Sequence, residues 1–484
     1  MEFHLKIDSL IFLLLVFVLL SILAIKPSFA EENTTLNEIT NGFDEKESSS
    51  GILDEVMEGF EDEEDTDTEA PEKEHKPSLF SIDGYVKLGS SYNIIDHTPE
   101  GVETDWVGLS RMRAELQIDL DTKFSSSWQA RIGGKGSYDF VYAIKGRDEF
   151  TDDVLDSYEK EVELREAYVL GSLLNNLDIK VGRQIVVWGK SDNIRVTDVL
   201  NPLDMREPGI TDIEDLRLPV AMTRLDYYIG DWSLTGIALH EIRFNKTPEY
   251  GSDFYPMAIP PPDEDKPEHG GKNTEFAMAV NGVFKGWDIA FYCADLYNDM
   301  PHMETISGVF PPQFELKHAR LKMFGAAFNI AIDNWLLKTE AAFFDGIKFF
   351  NTTDKSYSRR DILAGIEYSG FKDMTISIEA VNRHINDFND ILKSTPDEAK
   401  EDKFESLIRI TKNFLNETLT LNILASRFDT TGRDGAFQRF SAGYDVTDAV
   451  DITGGAVFYQ SGDLVEFSNI GDNDRLFFEV KYSF

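Results

Sequence analysis

Leu476-Phe477-Phe478-Glu479-Val480-Lys481-Tyr482-Ser483-Phe484 is the stretch on which the fold turns. Leu476, Phe478, Val480, Tyr482 and Phe484 share one parity, while Phe477, Glu479, Lys481 and Ser483 take the other. Successive side chains of a strand point to opposite faces, so the segment is apolar on one side and mostly polar on the other. A half-buried strand of a soluble sandwich alternates in the same way. The other end of the chain decides between them. Lys6 precedes an apolar run from Ile11 to Ile25, followed by the small-x-small pattern Ser28-Phe29-Ala30. Residues 1–30 therefore read as a signal peptide. An exported chain that finishes on a strand greasy on one face and wet on the other fits an outer-membrane barrel.

No later apolar stretch reaches the roughly 18 residues a membrane-crossing helix needs, so insertion must use strands. The formal charge of −40 is uneven: residues 31–75 hold 18 Asp or Glu against Lys46 and Lys73, a net −16. Residues 31–76 read as an acidic, largely disordered periplasmic extension. Within it Ile52, Leu53, Val56, Met57 and Phe60 recur at helical spacing, so a short helix at 51–60 is open to a periplasmic partner or to none. Such acidity argues against nucleic acid, which needs clustered Lys and Arg. Cys293, the only cysteine, excludes a disulfide framework and reads as a packed thiol.

Residues 77–484 carry the period-two pattern of an all-β, antiparallel transmembrane barrel of 16–18 strands. The candidate strands run from 80–93 to 473–484 and include 176–189, 231–245 and 314–332. After each even strand the turn is tight, as at Leu174-Asn175, Gly230-Asp231 and Lys285-Gly286. After the odd strands the connections are longer, above all 190–217, 246–272, 298–313 and 386–401. This sorting by parity predicts short periplasmic turns, long extracellular loops and periplasmic termini in the outer membrane of a Gram-negative bacterium. Trp128, Trp232, Trp287 and Trp335 each follow a tight turn, and Trp106 and Trp188 fall at opposite strand ends. All six are thus expected at the membrane interfaces, where an amphipathic ring prefers the headgroups.

Val181-Gly182-Arg183-Gln184-Ile185-Val186-Val187-Trp188-Gly189 is followed by Asn201-Pro202-Leu203-Asp204 and by Leu218-Pro219-Val220-Ala221-Met222. That order resembles an uncharacterised family of proteobacterial outer-membrane barrels and, more broadly, porins of the alginate-export type. The resemblance implies an outer-membrane barrel and supplies no substrate. The final strand likewise resembles the signal read by barrel assembly machinery, with Leu476, Phe478, Val480, Tyr482 and Phe484 as its residues and outer-membrane lipid as its surroundings.

The connection 190–217 interleaves Lys190, Arg195, Arg206 and Arg217 with Asp192, Asp198, Asp204, Asp212, Glu214 and Asp215. Apolar anchors at Trp188, Pro202, Leu203, Pro219 and Val220 favour a loop folded into the lumen over one facing water. A hairpin turning at Leu174-Asn175 sets Leu170 opposite Ile179, Tyr168 opposite Val181 and Leu164 opposite Ile185 as a lipid-side row. That row also holds Glu166 opposite Arg183, and a charge at the lipid midplane costs about 2–4 kcal/mol. Either the two form an ion pair shielded in a homo-oligomer interface, or a bulge at Gly182 turns Arg183 inward. Glu163, Arg165, Lys180, Gln184, Arg224 and Asp226 are expected on the lumen wall, with Lys190, Arg195, Arg206 and Arg217 from the long loop.

The histidines lack metal-ligand spacing, and there is no Gly-x-Ser-x-Gly elbow or phosphate-cradling glycine loop. Asp148-Glu149-Phe150-Thr151-Asp152-Asp153 lacks the glycine-centred spacing of a calcium loop. No cofactor, metal site or catalytic residue is expected. A barrel of this strand number encloses water, so the expected function is porin-like passage of a small or hydrophobic solute. Export of a lipid or hydrophobic compound is the rival, and lipid hydrolysis on the barrel surface a weaker one.

Overall fold

Eighteen strands follow one another in the computed structural model, which describes residues 80–95, 106–211, 213–306, 309–352 and 354–484. The expected signal peptide at 1–30, acidic extension at 31–76 and short helix at 51–60 lie outside the described residues. The strands are β1 (Phe80–Asn93), β2 (Gly108–Ser125), β3 (Trp128–Asp139), β4 (Lys160–Leu174), β5 (Leu177–Gln184) and β6 (Val220–Ile229). Next come β7 (Trp232–Leu239), β8 (Glu275–Phe284), β9 (Trp287–Tyr297), β10 (Arg320–Ile332), β11 (Trp335–Ile347) and β12 (Tyr357–Phe371). The last are β13 (Met374–Ile385), β14 (Asp402–Phe414), β15 (Leu419–Phe428), β16 (Gly435–Thr447), β17 (Val450–Gln460) and β18 (Arg475–Ser483).

Each strand pairs antiparallel with its chain neighbours, and β1 also pairs with β18 from Tyr85↔Ser483 to Asn93↔Arg475. The sheet is thereby a closed barrel without a free edge, which lets every wall residue pair its backbone inside a membrane. Past β18 the seam is completed by Gly84 N to Phe484 O at 3.0 Å and Phe484 N to Gly84 O at 2.9 Å. Gly84 permits this approach: a Cβ there would stand 2.4 Å from the Gln117 carbonyl oxygen and 2.9 Å from the Phe484 ring.

Turns after even strands are tight, and the connections at the opposite end are long, as the spacing predicts. Some long connections begin earlier than expected. The segment read as 176–189 leaves the wall after Gln184, and 231–245 leaves it after Leu239. Of the segment 314–332, Phe314–Lys317 joins His302–Thr305 and Glu264–Asp265 in a small separate sheet. Asp148–Asp153 forms short helical turns at the same end.

Outward-facing side chains are apolar, as Leu476, Phe478 and Phe484 show, while Arg475 and Phe477 on the other face of β18 are buried. Trp128, Trp232, Trp287 and Trp335 are exposed at the short-turn ends, where Phe284 stacks on Trp287 with centroids 4.2 Å apart. The other two tryptophans depart from expectation. Trp106 packs on Phe150 and Tyr142 among the long connections, and Trp188 is 6% exposed inside the barrel. Cys293 shares the outward parity of Phe291 and is half-buried, so it is less enclosed than expected.

The β4–β5 register is shifted by one residue from the expected one. Arg183 lies opposite Ala167, Val181 opposite Val169 and Lys180 opposite Leu170. The shift arises beside the turn, where Leu174 pairs with Leu177 and the ladder slips between Ser172 and Leu174. Farther along, β4 carries a bulge against β3: Ile132 pairs with Ala167 and Gly134 with Leu164, so Arg165 and Glu166 together oppose the single residue Gly133. Before the bulge the outward residues are even, with Val162 at 92% exposure. After it they are odd, with Val169 and Leu173 exposed. Tyr168 and Leu170 therefore belong to the inner row. Glu166 and Arg183 are not partners. Glu166 accepts from Ile185 N at 3.3 Å and stands 3.8 Å from Arg131, whereas Arg183 donates to Glu241 at 2.9 Å and to the Pro219 carbonyl at 3.2 Å. Neither a shielded Glu166–Arg183 pair nor a bulge at Gly182 is needed.

Candidate functional site: a divided lumen

After Gln184 the chain turns into the barrel and crosses it. The connection 185–219 reaches the far wall, where Glu340 on β11 and Glu379 on β13 point inward and are buried. Glu340 accepts from Lys190 N at 2.6 Å, Ser191 N at 2.8 Å, Thr197 N at 3.1 Å and the Thr197 hydroxyl at 2.7 Å. Glu379 accepts from the backbone N–H groups of Asp192, Asn193 and Ile194 at 3.1–3.2 Å and from the Ser191 hydroxyl at 2.7 Å. Two buried carboxylates thus absorb donors that an irregular loop would otherwise leave unsatisfied. Gly189 (φ 90°) makes room: a Cβ would meet a Glu340 oxygen at 2.6 Å.

Apolar packing completes the anchor. Trp188 stacks on Tyr292 of β9 (4.7 Å, 24°), and Tyr292 accepts from Gly189 N at 3.1 Å. Val186, Ile194, Val196 and Leu200 share one buried cluster with inward residues such as Met222, Ala290, Met323, Leu363 and Val381. Each such side chain contributes about 1.5–3 kcal/mol on burial. Asn201 donates to the carbonyls of Gln184 and Leu218 and accepts from Val186 N, tying the loop's two ends together. Asp198 holds Arg217 at 3.0 Å and Arg195 at 3.1 Å. The loop folds inward, as its apolar anchors predict, and fills the lumen along the β6–β14 wall.

Across the barrel a cavity of about 590 Å³ remains, lined by β1–β4, β16–β18 and the tip of the same loop. Its wall is charged. Arg111 and Arg113 of β2 each reach Glu207 of the loop at 3.1 Å, and Arg111 also reaches Glu479 at 2.7 Å. Burial opposes ionisation of Glu207, but the Arg113, Arg111 and Arg206 guanidiniums hold its carboxyl well below the usual carboxylate range. Arg206 joins Asp204 at 2.5 Å and Glu161 at 2.8 Å. The connection 240–274 adds Arg243 on Glu163, Lys246 on Glu161 and Asp253 on Arg475.

Of the residues expected on the lumen wall, Arg165 and Arg206 line this cavity, and Glu163 lines a smaller one that adjoins it. The others do not. Gln184 is fully buried and donates to backbone carbonyls, because it sits where the loop covers the wall. Lys180 lies over the Tyr168 ring at 3.7 Å. Lys190 is tied to Asp288, Arg195 and Arg217 to Asp198, and Arg224 to Asp226. Sequence reasoning passed over Glu340, Glu379, Glu207, Arg111 and Arg113. The available signal for the first two was a carboxylate on the inward parity of its strand, Glu340 sharing it with Ala342 and Phe344, and Glu379 with Val381. Among the described residues no group of three or more His, Cys, Asp or Glu is placed to hold a metal ion.

A closed 18-stranded antiparallel barrel narrowed by an inward connection is the architecture of outer-membrane porins. The match to solved structures bears this out: OccAB3 of Acinetobacter baumannii superposes with a TM-score of 0.53 at 10% identity, over 84% of this chain and 99% of that one. OccK9 (OpdG) of Pseudomonas aeruginosa gives 0.52 at 10% identity, over 84% and 98%. At such identity the likeness is one of fold. Residues 104–484 match the model of the family described as "Protein of unknown function (DUF1302)", and the chain belongs to that family. The expected membership of an uncharacterised barrel family holds, while these matches do not show a likeness to alginate-export porins. No curated protein matches the sequence.

Proposed function

We propose that this protein is an outer-membrane channel for passive or facilitated passage of a small polar solute along the charged half of its lumen. The observation that carries the reading is the division of the barrel, with one half packed and the other a charge-lined cavity of about 590 Å³. A water-filled space walled by fixed charges of both signs admits polar solutes by size and charge, with no chemistry asked of the wall. The same reading puts the short turns in the periplasm and the long connections outside. It makes Glu163, Arg165 and Arg206 lining residues, together with Glu207 and Asp215 of the loop tip, and gives Lys190, Arg195 and Arg217 a structural part. Conductance across a planar bilayer tests it. Purified wild-type protein should form steady ohmic channels, and removal of 190–217 should enlarge them. Absence of current from both forms would sink the reading.

A further inference from the structure

Two charges at the seam of the cavity stand outside its ion-pair network. Arg111 and Arg113 are held by Glu207, Arg206 by Glu161 and Asp204, and Lys135 by Glu115 at 2.8 Å. Among the described residues, Arg165 has no carboxylate within the 4.0 Å of an ion pair, and Asp215 has no cation there. Both residues line the main cavity and the adjoining one, so both border the place where the two spaces join. The fields of both reach Tyr85, whose hydroxyl donates to Glu115 at 2.7 Å.

Their placement is built in. The β4 bulge puts Arg165 and Glu166 against one residue, Gly133, and leaves Arg165 on the inner row beside Glu161 and Glu163. Each of those glutamates already holds a cation from the connection 240–274. Asp215 comes from the opposite side, on the loop that crosses the lumen. Arg165 is half-buried and Asp215 exposed to the lumen, so a guanidinium and a carboxylate face the same space without joining and both stay open to a guest. A solute with both a carboxylate and an ammonium supplies both partners at once.

We propose that this seam is a binding site for a small dipolar solute, with its carboxylate on the Arg165 guanidinium and its ammonium on Asp215. A planar guanidinium accepts a carboxylate through two parallel N–H···O bonds, which fixes the orientation of the guest. The cavity of about 590 Å³ takes a molecule of amino-acid size. The site deepens the channel reading by naming its solute class. Its test must therefore not depend on conduction.

Titration calorimetry on the detergent-purified full chain provides that. The probes are glutamine, N-acetylglutamine, which keeps only the carboxylate charge, and glutamine amide, which keeps only the ammonium. Glutamine should bind at least about ten-fold more tightly than either, as loss of one charged contact implies. Arg165→Gln should remove the advantage of glutamine over glutamine amide, and Asp215→Asn its advantage over N-acetylglutamine. Both variants should keep the heat-modifiable gel mobility of a folded barrel. Equal binding of glutamine and N-acetylglutamine to wild type would reduce the seam to an anion site and overturn the proposal. So would binding of glutamine unchanged by Arg165→Gln. If the wild type binds but never conducts in a bilayer, the site stands and the channel reading falls.

Discussion

The two halves of the lumen are built from the same alternating strands, yet they use their inward rows in opposite ways. Along β6–β14 those rows hold Met222, Ala290, Met323, Leu363 and Val381, and the loop 185–219 lies on them as a core lies in a soluble domain. Along β16–β4 they hold Arg111, Arg113, Glu115, Glu161 and Glu479 around open space. One irregular segment serves both: its first part is a core, and its tip, with Arg206, Glu207 and Asp215, is a wall of the cavity. The contrast teaches that a porin lumen need not be uniformly polar. Packing against one side fixes the loop so that its charges are held in place on the other.

The contrast breaks most completely if the two glutamate anchors are neutralised together. In Glu340→Gln/Glu379→Gln, amide groups face the loop's N–H donors, and disrupting such buried charge-assisted sets costs about 3–5 kcal/mol. Urea denaturation in lipid vesicles should show the loss, and single-channel conductance should rise as the loop leaves the wall. Unchanged conductance would mean that the loop does not limit the pore. Trp188→Ala is next, at about 3–5 kcal/mol for a large aromatic removed from a packed core. Trp335→Ala, at the exposed short-turn girdle, should cost clearly less by the same denaturation assay, and equal losses would contradict the placement of Trp188.

Glu207→Gln acts on the open half alone. With its carboxylate gone, Arg111 and Arg113 are left partly uncompensated, so the reversal potential in a KCl gradient should move toward anion selectivity. A shift toward cations would refute the assigned wall. The smallest effect concerns the long-loop end, where His318 joins Glu264 at 2.6 Å and Asn298 O at 2.6 Å. The hydrogen bond from His318 holds the Glu264 carboxyl below its ordinary value. A carboxylate depressed on folding stabilises above its unfolded pKa, about 4.3, and that contribution disappears as pH falls through the lower folded value. Amide exchange in 240–274, corrected for intrinsic rate, should therefore quicken as pH falls below about 4.3 in wild type and less in Glu264→Gln.

Much of this was legible in the sequence because a barrel writes its fold in period two. The strand count, the parity of the turns, the outward apolar row and four of the six tryptophans all follow from that local signal. What escaped was set by contacts distant in the chain. Nothing near Trp188 announces Tyr292, and nothing near Glu340 or Glu379 announces the loop amides they receive. The β4 bulge hid for a different reason. Arg165-Glu166 inserts one residue into an otherwise regular alternation and so changes the outward parity along β4, while a separate slip at Ser172–Leu174 beside the turn moves the β4–β5 register by one. Of the residues named as lining, Gln184 shows the difficulty: sequence does not say which inward residues a loop covers.

The seam joining β1 to β18 bears on solubility. Phe484 and Gly84 exchange hydrogen bonds across the gap that β18 and the residue after it fill. Without that strand the sheet would keep two unsatisfied edges, on β1 and on β17, the form most open to pairing with a neighbouring copy. Closure therefore removes the one pair of edges through which two copies of the wall could add to each other.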